Sequence, residues 1–203
     1  MQSTISKILK EINEKKQELS KEYDKIKEKY DFEFIKGKII FSDEQKQKYK
    51  KEKKSIFDTI FTAQVREILS IPFIYGMIIP FIVLDIFLFV YQNTAMRLYK
   101  IPLAKRKDYV VFDRKFLGYL NVIEKINCLY CSYGNGLLAY AREVAARTER
   151  YWCPIKHAKK RLGSHNWEQL FADYGDSKGF RELYSEEKNY EKEIEITKEN
   201  SAK

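Results

Sequence analysis

The chain has 203 residues, 33% charged and 44% hydrophobic, with a formal net charge of +9. That length allows one ordinary domain, or a small domain with appendages. Three cysteines, an odd number, argue against a disulfide framework and for a reducing compartment.

The charge is uneven: residues 97–162 hold 15 Lys/Arg against 5 Asp/Glu, and residues 163–203 hold 6 against 10. A basic middle third beside an apolar block is drawn to anionic lipid headgroups. Nucleic acid ranks below the membrane as a partner, because no nucleic-acid-binding motif accompanies the charge.

The opening run MQSTISKILKEINEKKQE reads as lacking the apolar core and cleavage site of a secretory signal. Ile5, Ile12, Leu19 and Ile26 recur every seven residues, which predicts a long amphipathic helix from Ser3 as N-cap to Tyr30. One apolar stripe on so polar a helix calls for a partner: a second copy, or the helix that follows. Asp31–Phe41 breaks the period, and β-prone residues flank Lys36-Gly37-Lys38, so a short hairpin or an extended connector is expected. Ser42 then heads a second helix with Gln45 three residues on. Its later face, Ile56, Phe57, Ile60, Phe61, Val65, Ile68 and Leu69, suits a membrane interface.

Ile68–Val90 holds a single charge, Asp85. As a straight helix it measures about 35 Å, enough to cross a hydrocarbon core. Pro72, Gly76 and Pro80 interrupt the run, and basic residues flank it equally on both sides. Those features favour a re-entrant hairpin with both ends in the cytoplasm over a single crossing. Lys105, Arg106 and Lys107, interleaved with Tyr99 and Tyr109, form a polybasic interfacial rim. Asp113–Asn127 reads as an amphipathic helix.

Cys128 and Cys131 form a C-x2-C pair, and Cys153 and His157 a C-x3-H pair. Such ligands suit tetrahedral zinc, with iron as the alternative. Equally, the cysteines can be small buried residues with no metal at all. Leu137–Arg150 is strongly helical, so the two pairs meet only if Ser132–Gly136 loops back along that helix, if the helix breaks early, or across a dimer. Arg142, Arg147 and Arg150 share a polar face able to hold a phosphate or headgroup. Trp167, Leu170, Phe171 and Tyr174 mark a short lid helix, and the charged residues from Ser185 onward are expected to lack structure.

The runs YGMIIPF, FDRKFLGYLNVIEKINCLYCSYGNG, AREVAARTERYWCPIKHAKK and DYGD resemble a family of uncharacterised bacterial inner-membrane-associated proteins. The resemblance spans residues 68–179 and implies a location at the inner membrane, with no activity attached.

The expected architecture is mainly α. It comprises an N-terminal helical arm (1–67), a membrane segment (68–91), a small basic helical cytoplasmic domain (92–184) and an acidic tail (185–203). The expected function is that of a membrane-anchored binding or scaffold protein, stapled by a metal if the four ligands meet. The alternatives are an enzyme acting on a membrane-borne phosphorylated or lipid-linked substrate, and an iron-thiolate redox protein.

Overall fold

A computed structural model describes residues 15, 18–19, 21–35, 38–159, 162–185 and 190–201. The chain is mainly helical and divides into two compact units. One joins Met1–Gly76 to Val111–Tyr133, and the other joins Met77–Val110 to Gly134–Ala202.

In the first unit, residues 21–30 form helix α1. Ser3, Ile5 and Ile12 of the expected heptad lie outside the described residues, and Leu19 and Ile26 are exposed. Asp31 takes a left-handed turn at φ 48°, which a short polar side chain tolerates. Strands β1 (Phe32–Ile35) and β2 (Lys38–Phe41) then pair antiparallel, with Phe32 opposite Phe41. The expected hairpin is therefore present.

Ser42 caps helix α2 (Asp43–Glu52) by accepting from the Gln45 amide at 3.2 Å. Its own amide donates to the Asp31 carbonyl, which ties the helix start to the hairpin. Phe41, Tyr49 and Tyr119 pack edge to face in series, with ring centroids 5.2 and 5.1 Å apart. Helix α3 (Ile56–Phe61), capped by Ser55, and helix α4 (Val65–Gly76) follow with no buried residues.

The helix expected over Asp113–Asn127 starts later than its apolar pattern suggests. A 3-10 turn covers Arg114–Phe116, and helix α6 runs from Val122 to Trp152. Asn121 and Glu124 set that boundary with a reciprocal pair of bonds. The Asn121 amide donates to the Glu124 carboxylate at 2.8 Å, and the Glu124 amide donates to Asn121 Oδ1 at 3.0 Å. Together they satisfy two otherwise unpaired amides at the helix start.

In the second unit, helix α5 (Ile78–Tyr91) passes into a π-helical turn, Gln92–Met96. The termination is a Schellman pattern: the Ile101 amide donates to the Met96 carbonyl at 2.8 Å and the Lys100 amide to that of Arg97 at 3.1 Å. Lys100 holds the left-handed position at φ 54°, usually a glycine's place. The core gathers Met96, Leu137, Val144 and Trp167, all essentially inaccessible to solvent. A 3-10 turn (Asn166–Leu170) and helices α7 (Ser177–Ser185) and α8 (Tyr190–Ser201) complete the unit.

Three expectations need correction. Ser132–Gly136 is helical rather than a returning loop. Its glycines admit close neighbours: a Cβ on Gly134 would lie 2.8 Å from the Phe81 ring, and one on Gly136 would lie 2.6 Å from the Tyr109 carbonyl oxygen. The tail is not all structureless, because α8 buries Tyr190 and Thr197 and answers a buried arginine on α6. Finally, Val65–Met96 is one apolar helix of 32 residues, without the expected hairpin turn. Met77 keeps right-handed helical angles, φ −64° and ψ −13°. Pro80 has no amide to donate to the Gly76 carbonyl, so it leaves one bond of that helix unmade.

Candidate membrane-contact site

The Val65–Met96 helix is the one helix among the described residues long and apolar enough to cross a membrane. Leu69 and Phe73 on α4, and Val83, Phe87 and Val90 on α5, are exposed, Phe73 by 80% and Phe87 by 70%. An exposed apolar surface of this extent marks a candidate contact site for a membrane or a partner.

The covered side of α5 is held by the segment that follows it. Arg106 donates from Nε and Nη2 to the two Asp85 carboxylate oxygens at 3.0 and 2.7 Å. The single charge of the apolar block is thus neutralised by the chain's own guanidinium in a bidentate pair. Two turns further along, buried Gln92 accepts from the Ala104 amide at 2.7 Å and donates to the Tyr140 hydroxyl. Residues 101–110 therefore run back along α5. Tyr91 meets Thr148 of α6 at 3.0 Å.

Of the expected polybasic rim, Arg106 is engaged by Asp85 but stays exposed, and Lys105, Lys107, Arg97 and Lys100 are exposed as well. The expected arginine face divides in the same way. Arg142 is exposed, whereas Arg147 and Arg150 are buried. Arg147 donates to Glu143 at 2.8 Å and to the Pro102 carbonyl at 2.9 Å, and Trp167 donates to the same Glu143 oxygen at 3.1 Å. Arg150 donates to Glu193 of α8 at 3.0 and 2.5 Å. Both guanidiniums are thus spent on internal carboxylates. Burial, helped by the Glu143 carboxylate, pushes the Tyr109 phenol up to about 12. Burial likewise raises Tyr140, Tyr119 and Tyr190.

Cys128 is half-buried and Cys131 exposed, both on α6, while Cys153 and His157 are exposed beyond its end. With α6 unbroken, Cys128 and Trp152 stand roughly 36 Å apart at 1.5 Å per residue. The four ligands are therefore not brought together within one chain. Among the described residues, no group of three or more His, Cys, Asp or Glu side chains is placed to hold a metal ion. The spacing suits zinc, but within one chain the unbroken helix keeps the two pairs apart.

The sequence reading missed two features. In the first unit, a cleft of about 580 Å³ is lined by Ile26, Tyr30, Phe32, Tyr49 and Tyr119, with Glu52, Asp113 and Arg114 among its lining residues. Its rings come from segments far apart in sequence, so no local pattern signals it. The Asn121–Glu124 cap was legible as N-x-x-E, a variant of the capping signature. No family model matches this chain, and neither the curated proteins nor the solved structures contain a match.

Proposed function

We propose that this is a membrane-attached binding or scaffold protein, held on an anionic lipid surface by the Val65–Met96 helix and the basic residues beside it. The observation that carries this reading is an exposed, uncharged helix face flanked in sequence by exposed Arg97, Lys100, Lys105 and Lys107. Hydrocarbon takes the first and acidic headgroups the second. The aromatic cleft of the first unit supplies a concave surface for a partner. An enzymatic reading drew its support from the arginine face, and Arg147 and Arg150 are engaged with Glu143 and Glu193. The family resemblance implies the bacterial inner membrane as the location, with the basic residues on its cytoplasmic side.

The test is flotation of detergent-purified protein with vesicles, either neutral or rich in phosphatidylglycerol. Binding should be stronger on the anionic vesicles and weaken with salt. Replacing Lys105 and Lys107 together by glutamate should remove about 1 kcal/mol of anionic preference per lysine lost, or more. Protein that stays soluble without detergent and floats with neither vesicle would overturn the reading.

A further inference from the structure

We propose that the Val65–Met96 helix does not cross the bilayer but lies along one leaflet, with both of its ends on the same side of the membrane. The proposal deepens the membrane reading above and rests on it. The argument is one of chain connection.

Thr59, just before the apolar helix, accepts a hydrogen bond from Asn121 Nδ2 at 2.7 Å. Asn121 is buried and opens α6. Whichever side of the membrane holds Thr59 therefore also holds Asn121. Were the helix to cross, Met96 would emerge on the opposite side, and residues 97–121 would have to carry the chain back. That segment holds seven basic and two acidic residues. After Leu98 it has no helix beyond two 3-10 turns, Arg106–Asp108 and Arg114–Phe116. Non-helical backbone facing lipid leaves its amides and carbonyls without partners, and nine charges have no place in hydrocarbon. The return path is forbidden, so the crossing is too.

The other route to a same-side topology, a re-entrant hairpin, conflicts with a single helix of 32 residues whose Met77 stays in the helical region. An in-plane helix meets every constraint. Its covered side carries the Asp85–Arg106 pair and the Gln92 bonds. Its uncovered side offers Leu69, Phe73, Val83, Phe87 and Val90. Exposed Lys105 and Lys107 would lie at headgroup level, where their charge is complementary to anionic lipid.

The experiment uses the full chain with its three cysteines changed to serine and single cysteines introduced. In the first arm, K54C and K107C are labelled with a membrane-impermeant maleimide in intact spheroplasts and in inverted membrane vesicles. In the second, spin labels at L69C, I79C and F87C report depth in reconstituted vesicles by collision with oxygen and with a water-soluble nickel chelate. Those three side chains are exposed, so their replacement leaves the packed face intact. The expected result is labelling of both flanks from the same side and one shallow depth for all three probes. Flanks labelled from opposite sides, or a depth profile with Ile79 deepest near the bilayer centre, would overturn the in-plane helix and leave the membrane reading standing. Protein recovered wholly in the soluble fraction would overturn both.

Discussion

Gly134 and Gly136 share a helix and differ in what they face. The Phe81 ring beside Gly134 can turn aside, whereas the Tyr109 carbonyl and Val110 Cα beside Gly136 are backbone. Replacing a helical glycine by alanine gains about 1 kcal/mol of helix propensity, and overpacking a rigid contact costs about 1–3 kcal/mol. Gly136→Ala should therefore destabilise the fold, while Gly134→Ala should be close to neutral; denaturant titration followed by circular dichroism separates them. Arg150 is a second sensitive point, being only 2% exposed and paired with Glu193. Arg150→Met leaves that carboxylate buried without its partner and should cost about 3 kcal/mol, whereas Arg150→Met with Glu193→Met should recover most of the loss. Tyr109 makes the fold sensitive to alkali. Its phenol sits at about 12 in the folded chain, against about 10 unfolded. Above the unfolded value, the unfolded chain releases a proton that the native state keeps. The stabilisation is full below pH 10 or so and falls as pH rises through 12. Tyr109→Phe should flatten that fall, as read by alkaline unfolding beside the 295 nm phenolate signal.

Among the elements, those set by local chemistry were legible and those set by distant partners were not. The hairpin follows from β-prone residues around a glycine, and helix α2 from Ser42 with Gln45 three residues on. The apolar helix was evident from composition, but its continuity was not, because Pro72, Gly76 and Pro80 have the chemistry of a turn. Ser132–Gly136 misled for a related reason. Two glycines with Asn135 between them spell a loop when read locally, and only the approach of Tyr109 and Phe81 shows that they serve packing. Within one chain the candidate metal site needed that loop or an early break in the helix, and α6 provides neither. Helix α8 was hidden by composition: its charge suggested no structure, yet Glu193 is the carboxylate that buried Arg150 requires. The end of the apolar helix offers a direct check. Lys100 occupies a left-handed position that costs a side-chain-bearing residue about 1 kcal/mol or more. Lys100→Gly should raise the midpoint of thermal unfolding, at the expense of one exposed cation.

At the scale of the whole molecule, α6 contributes to both compact units, its first turns to one and the remainder to the other. In the second unit it runs in the same direction as α5. Phe81 lies against Gly134 and Gln92 against Tyr140, while Tyr99 lies against Tyr151. Helices that run side by side in one direction need a long connection between them, and residues 97–121 provide it. This arrangement also fixes an order in time. The apolar helix is complete before any of its α6 partners has been synthesised. At roughly 5–20 residues per second, the 56 residues from Arg97 to Trp152 take on the order of 3–11 s to appear. Early in that interval residues 101–110 bring Ala104 to Gln92 and Arg106 to Asp85, while the rest of the helix is bare. Helix α6 arrives last, adding Tyr140 to Gln92 on the side that residues 101–110 already line.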